Sequence, residues 1–292
     1  MNELIATSFA ALITNVNDDA YFVQKNGQTF RIDREENPDL KLGDSVEVFA
    51  FTDRDGKPVA TTKIPLVTRD TYGFSTVVGV RRDLGVFVDI GLPDREVALS
   101  LDELSAMKNL WPKEGDKLMV KLLVDNKGRI WATLAPESEY RARARKLDRA
   151  QFERYKNKEI IGTVFRLKMA GTFVLTQDYR IGYIHPSERF NEPRLGEELK
   201  VRVIGYNTNG WLNLSLKPRA HEAMDVDADM IYNMLERAEG GHLPYNDKTA
   251  PEVIDEVFGI SKGGFKKAIG RLFKAKKIII DDQGIKLNEK TE

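Results

Sequence analysis

One short pattern recurs three times in this chain: a small residue, any residue, then Phe-Val. It stands as Ala20-Tyr21-Phe22-Val23, Gly85-Val86-Phe87-Val88 and Gly171-Thr172-Phe173-Val174. Each copy is followed by a glycine-centred acidic turn, Leu42-Gly43-Asp44, Glu114-Gly115-Asp116 or Leu195-Gly196-Glu197. Each closes on a short β-rich run, Val59-Ala60-Thr61-Thr62, Ile130-Trp131-Ala132-Thr133-Leu134 or Leu212-Asn213-Leu214-Ser215-Leu216. The turn glycines at 43, 115 and 196 lie 72 and 81 residues apart. A period of that length copies a whole small domain, not a solenoid unit.

Each copy is long enough for a modest core of its own. The strands of the second read as Val77–Val80, Gly85–Ile90, Val97–Leu99, Leu118–Val124 and Arg129–Leu134. Those of the third read as Ile160–Phe165, Gly171–Leu175, Arg180–Ile184, Leu199–Gly205 and Trp211–Leu216. Five short strands bounded by Gly, Asp and Asn predict a Greek-key barrel of the oligonucleotide-binding type. The first copy is blurred but parallel. Period-two alternation turns Val23, Val88 and Val174 inward and Phe22, Phe87 and Phe173 outward. Barrels of this kind bind single strands by stacking bases on such rings; packing of each Phe on a neighbouring domain is the alternative.

The chain has no cysteine, so disulfides, iron–sulfur clusters and thiolate zinc sites are excluded. Met1-Asn2-Glu3-Leu4 does not begin a signal peptide, and no apolar run suits a membrane span, so a cytoplasmic protein is expected. Net charge is zero, but it is unevenly spread: residues 1–66 carry −4, 137–159 carry +3 and 160–220 carry +4. Ser261–Lys277 holds seven Lys and Arg and no acid. Local fields of that kind steer anionic partners even when the whole averages to neutral.

Residues 137–159, which contain no glycine, predict a basic helical linker. It is either a solvated spacer or a stripe tracking phosphates. After Lys217 the apolar period changes from 2 to 3.6. Helices are expected over Asp227–Glu239, Pro251–Phe258 and Ser261–Lys274, then a hairpin from Ile278–Ile280 and Ile285–Leu287. The acids Asp225, Asp227 and Asp229 are expected to cap the first of these helices. This order resembles a winged helix whose second helix of the helix–turn–helix presents Lys262, Lys266, Lys267 and Lys274 to nucleic acid.

The third copy carries Ile161-Gly162-Thr163-Val164, Gly171-Thr172-Phe173-Val174, Gly182-Tyr183-Ile184-His185-Pro186-Ser187-Glu188 and Leu214-Ser215-Leu216-Lys217 in order. This set is similar to the S1-type RNA-binding domain. Three such copies before a winged helix resemble the conserved virulence factor B family, regulators of gene expression that act through RNA. The resemblance implies a mainly β chain with a C-terminal α+β domain. Its expected divisions are 1–66 (degenerate S1-like barrel), 67–136 (S1-like barrel), 137–159 (linker), 160–219 (S1-like barrel) and 220–288 (winged helix).

It also implies a ligand face made of the second-strand Phe, a His ending the third strand, and an Asp…Arg pair on the last hairpin. The Phe is Phe22, Phe87 or Phe173. The His is present only as His185; the second copy has Ser100 there, and the first has no evident counterpart. The pair is Asp125 and Arg129, approximated by Asp53 and Lys57 and replaced by Asn207 and Trp211. Arg166, Lys168 and Arg180 flank the Phe173 strand as candidate backbone contacts.

The three histidines show no metal-ligand spacing. No phosphate-cradling or dinucleotide glycine motif is present, and no serine sits in a nucleophile elbow. A non-catalytic protein without cofactor or metal is expected. It would be a monomer binding single-stranded RNA across barrels two and three, with the winged helix extending the site. The rival readings are a DNA-binding regulator acting through the winged helix, and a docking factor for ribosome, RNA polymerase or nuclease.

Overall fold

A computed structural model describes residues 3–53, 55–92, 95–218 and 220–288, without the side chains of 220–225. Two compact units divide the chain, Met1–Leu216 and Lys217–Glu292.

The first unit holds three closed five-stranded barrels. Barrel one is β1 (Ser8–Val16), β2 (Ala20–Lys25), β3 (Gln28–Asp33), β4 (Ser45–Thr52) and β5 (Pro58–Thr61). Barrel two is β6 (Gly73–Arg81), β7 (Gly85–Asp89), β8 (Glu96–Ser100), β9 (Lys117–Val124) and β10 (Ile130–Leu134). Barrel three is β11 (Glu159–Lys168), β12 (Gly171–Thr176), β13 (Ile181–Ile184), β14 (Glu198–Tyr206) and β15 (Leu212–Ser215). In each the first three strands form a meander, and the fifth closes the barrel between the third and fourth. The third–fifth pairing is parallel in all three.

The repeated motifs have repeated physical jobs. Each first strand slips register once, between Ile13 and Asn15, Val77 and Gly79, or Val164 and Arg166. Such a bulge bends a long strand so that it can pair on both edges of a small barrel. The acidic turn locks the slip: the N–H of Ile13, Val77 or Val164 donates to the carbonyl of Asp44, Asp116 or Glu197. The carbonyls of those same three residues, which precede the bulges, accept from Gly43, Gly115 and Gly196. The acid caps its own turn, accepting from the N–H of Lys41 (2.8 Å), Lys113 (2.7 Å) or Arg194 (2.8 Å). The small residue of the Phe-Val motif is steric. A Cβ on Gly85 (φ +138°) would lie 2.0 Å from the Leu99 carbonyl oxygen, and one on Gly171 (φ +154°) 2.5 Å from the Tyr183 ring.

Barrels one and two share one hydrophobic core, running from Ile5 through Phe30 and Val88 to Leu122. Barrels two and three meet at their acidic turns. The Lys117 N–H donates to the Gly196 carbonyl at 3.0 Å, and Leu195 N–H to Leu110 at 3.1 Å.

The linker is not the single spacer helix its composition predicts. It folds as two short helices, α1 (Glu137–Arg143) and α2 (Arg149–Tyr155), each anchored by a buried aromatic. Tyr140 stacks on the bulge residue Phe165 at 4.0 Å, and Phe152 packs on Tyr206 at 4.8 Å. Burial pushes the Tyr140 hydroxyl pKa up. Two aromatic anchors outweigh the solvation of the basic face, so the segment belongs to the packing of barrels two and three.

The second unit contains α3 (Ala220–Arg237), β16 (His242–Leu243), α4 (Pro251–Phe258), α5 (Lys262–Lys274), β17 (Ile278–Asp281) and β18 (Gly284–Leu287). The helices close over Ile231, Ile254, Phe265 and Ile269. Ser261 caps α5 by accepting the Gly264 N–H at 3.1 Å. The expected hairpin gains a third strand, with β18 central. The expected acidic cap is corrected: α3 starts earlier, so Asp227 and Asp229 lie inside it. The Asp225 side chain lies outside the described residues.

Candidate nucleic-acid interface

Strand register lays one row of side chains across the outward face of each barrel. In barrel one it is Asn15, Phe22, Arg31 and Val59. In barrel two it is Gly79, Phe87, Ala98 and Trp131. In barrel three it is Arg166, Phe173, Tyr183 and Asn213. The three Phe residues are half-buried, each with its strand neighbours Val23, Val88 and Val174 fully inside. The sequence reading found the Phe of every row and missed Trp131 and Tyr183. Period two on the neighbouring strands could have found them, since Gly182-Tyr183-Ile184 and Ile130-Trp131-Ala132 alternate as the Phe strands do.

The hairpin pair is a turn device before it is a contact. The Oδ1 of Asp53 accepts the N–H of Asp55 (2.9 Å) and Lys57 (2.8 Å). That of Asp125 accepts from Lys127 and Arg129, both at 2.9 Å. That of Asn207 accepts from Asn209 (3.0 Å) and Trp211 (3.1 Å). An amide oxygen serves this turn as well as a carboxylate, so the change to Asn207 leaves the hairpin intact. The second member, Lys57, Arg129 or Trp211, then stands two residues before the fourth position of the row. In barrel two the other carboxylate oxygen, Asp125 Oδ2, holds Arg129 Nε at 2.7 Å and Trp131 Nε1 at 3.3 Å. These donors, led by the Arg129 backbone N–H, hold the Asp125 pKa down at about 2. Arg129 also lies over the Trp131 ring at 5.6 Å.

His185 and Ser100 occupy equivalent places, and the first barrel has a counterpart after all: Asp33. Each caps a one-turn 3-10 helix. Asp33 accepts the Glu35 N–H (3.1 Å), Ser100 the Asp102 N–H (3.3 Å), and His185 Nδ1 the Ser187 N–H (3.1 Å). The signal was visible as Asp33…Glu36, Ser100…Glu103 and His185…Glu188, the spacing of a capping box. With Nδ1 so engaged, His185 has Nε2 left for a ligand; its ring lies 6.4 Å from Tyr183.

Barrel three carries the densest cluster. Phe173 meets Tyr183 at 5.3 Å and the Trp211 edge at 6.1 Å. Lys168 sits over Phe173 at 5.1 Å and Arg141, from α1, over Trp211 at 4.9 Å. Glu137 binds both cations, Lys168 at 2.7 Å and Arg141 at 2.5 Å, and its pKa is lowered first by Lys168 and then by Arg141. Arg166 is exposed beside Phe173. Arg141 and Glu137 were missed because their place comes from the packing of Tyr140, not from any barrel motif.

Arg180 does not join this face, which corrects its expected role. Its side chain is 11% exposed. Its Nε bonds Asp178 (2.9 Å) and Tyr155 (3.1 Å), and its Nη1 bonds the Lys146 carbonyl (3.1 Å). It braces the linker against barrel three.

The surroundings of the other two rows are acidic. A cleft of about 720 Å³ beside Phe87 is lined by Asp53, Asp89 and Glu96 with Arg95 as its cation. A hollow of about 390 Å³ beside Arg31 and Arg34 carries Asp18, Asp19, Asp33 and Glu35.

In the second unit Lys266, Lys267 and Lys274 are exposed on α5 and Lys262 is half-buried. Lys266 reaches Asp247 at 3.5 Å. Among the described residues, no group of three or more His, Cys, Asp or Glu could hold a metal ion. No described helix is long and apolar enough to cross a membrane.

Family models match along the chain: an S1 domain over residues 9–63, the first S1-like domain of CvfB over 72–133, the second domain of the virulence regulatory factor CvfB over 144–218, and a CvfB-like winged helix over 229–287. The second-domain match takes in α2, in keeping with its packing on barrel three. Conserved virulence factor B of Staphylococcus haemolyticus is 40% identical over 270 residues, 91% of this chain and 88% of that protein. YitL of Bacillus subtilis is 40% identical over 267 residues, with the same coverage. A crystal structure of a multidomain protein with nucleic acid binding domains from Streptococcus pneumoniae aligns with TM-score 0.68 and 46% identity, covering 98% of this chain and 99% of that one. With three S1-like barrels and a winged helix in that order, and with relatives matched over nearly their whole length, this chain belongs to the conserved virulence factor B family.

Proposed function

We propose that this protein is a non-catalytic regulator that binds single-stranded RNA, with barrel three as its main platform. The observation that carries the reading is the row Arg166, Phe173, Tyr183 and Asn213 extended by Trp211, with Lys168 and Arg141 above the rings. Three half-buried rings, Phe173, Tyr183 and Trp211, can stack unpaired bases on their open faces, each worth roughly 1–3 kcal/mol, without demanding a sequence. The cations beside them supply phosphate contacts, so binding falls with salt.

Barrel two contributes Phe87, Trp131 and Arg129. Its neighbouring carboxylates disfavour phosphates, so it is the weaker partner. Barrel one, whose hollow beside Arg31 and Arg34 carries four carboxylates, is structural. Lys262, Lys267 and Lys274 of α5 add a second basic surface. The description of the pneumococcal relative as carrying nucleic acid binding domains supports the same class of ligand. The absence of acids from 261–277 also favours a second reading, duplex DNA bound by α5.

One titration decides between them: single-stranded RNA, single-stranded DNA and duplex DNA, each across a salt series, against the full chain. Tightest binding of single-stranded RNA is expected. A preference for duplex DNA would overturn the reading.

A further inference from the structure

A hollow of about 500 Å³ opens between the segment joining α1 to α2 and the turn joining β14 to β15. Arg141, Arg145 and Lys146 line one side, and Thr208, Asn209 and Trp211 the other; among the described residues no carboxylate lines it. This is the reverse of the larger cleft beside Phe87, where among the described residues Asp53, Asp89 and Glu96 face Arg95.

Its walls are held by backbone, not by chance contact of side chains. Leu147 N–H donates to the Gly210 carbonyl at 3.2 Å, and Arg145 N–H to the Tyr179 carbonyl at 2.7 Å. The Lys146 carbonyl is fixed by Arg180 Nη1 at 3.1 Å. Gly210, at φ +76°, lets the two segments close: a Cβ there would sit 3.2 Å from both the N and the O of Leu147. The Arg145 and Lys146 side chains are exposed. The Lys146 and Gly210 carbonyls are already occupied, and the exposed cationic heads of Arg145 and Lys146 are left as the charged groups this hollow offers to a ligand.

Trp211 joins the hollow to the barrel-three face, because it also meets Phe173 edge-on at 6.1 Å. We propose that the hollow is a nucleotide subsite. The strand leaves the aromatic row at Trp211 and places its next phosphate between Arg145 and Lys146. The Thr208 hydroxyl and the Asn209 amide, which line the same hollow, supply donors and acceptors to the sugar or base. The linker thus completes the binding site rather than spacing two barrels. The inference rests on the reading of barrel three as the RNA platform.

The test uses the full chain, its Arg145→Ala/Lys146→Ala variant, and single-stranded RNA of about six and about ten nucleotides. Wild type is expected to bind the longer strand more tightly. The double variant is expected to lose about tenfold on the longer strand, to bind the shorter one nearly as before, and to show a shallower salt slope by about one phosphate. Equal binding of both strands by variant and wild type overturns the subsite and leaves the platform standing. Failure of wild type to bind either strand overturns the platform itself, and the subsite with it.

Discussion

Arg194 of barrel three lays its guanidinium against Asp116 of barrel two, Nε to Oδ2 and Nη2 to Oδ1, each at 3.0 Å. The two residues belong to equivalent acidic turns, so one copied turn is docked against the next. Asp116 Oδ2 also caps its own turn at Lys113, and Arg194 Nη1 reaches Glu197 at 3.1 Å. The Asp116 carboxylate is the main cause of the raised Arg194 pKa.

Asp116→Asn is therefore expected to keep the turn, since an amide oxygen can still accept the Lys113 N–H, and to lose the ion pair. Charged hydrogen bonds of this kind contribute about 1.5–3 kcal/mol, and solvent around the guanidinium places the loss at the low end. The raised arginine pKa makes that stabilisation complete below the ordinary arginine value, so it does not fade anywhere between neutral pH and about pH 10. Thermal unfolding of the two proteins across that range reads the difference. A variant as stable as wild type would show the contact to be incidental.

Asp125 makes the opposite pH statement. Its folded pKa of about 2 lies below the unfolded value near 3.9. Its contribution is present above the unfolded value and is lost as pH falls towards about 2. The carboxyl carbon of Asp125, followed by NMR, should titrate near about 2. A midpoint near about 4 would mean that Arg129 and Trp131 do not hold it in solution.

The three rows rank the rings. Phe173→Ala and Trp211→Ala should each weaken single-stranded RNA binding by about tenfold to a hundredfold, the range of one lost stacking surface. Phe87→Ala should cost less, because Asp89 and Glu96 line the cleft beside it. Far-ultraviolet circular dichroism checks that each variant keeps its strands. Equal losses at Phe87 and Phe173 would place the strand across both barrels evenly.

Much of this was legible without coordinates because the repeat reports on backbone needs. Gly85 and Gly171 stand where a Cβ would strike backbone or ring, and the acidic turns close bulges that every copy requires. Face assignment by period two placed Phe22, Phe87 and Phe173 correctly on the outer row. What the sequence concealed came from long-range packing. Arg180 reads as a free cation beside a strand, yet Asp178 and Tyr155 claim it. Residues 137–159 read as a spacer, either solvated or tracking phosphates, and their composition does not show that the buried Tyr140 and Phe152 fasten it to the barrels. The linker anchors have no local period or motif, because their partners Phe165 and Tyr206 are fixed by the barrel's topology.

Glu137 yields a prediction whose sign is informative. Its carboxylate binds Lys168 and Arg141, the two cations that lie over Phe173 and Trp211. On the proposed reading it takes the place of a phosphate between those cations, and an RNA strand would compete with it. Glu137→Gln removes one negative charge from the face and releases both cations. Binding of single-stranded RNA at low salt should tighten by a few-fold, about one more screened contact, and fall more steeply as salt is raised. The lowered Glu137 pKa, with Lys168 as its first cause, keeps the carboxylate ionised as pH drops below the ordinary glutamate range. The wild-type protein should therefore show no such tightening at mildly acidic pH. Weaker binding by the variant would mean instead that Glu137 holds Lys168 and Arg141 in the geometry the RNA needs, and that losing this order costs more than losing the competing charge gains.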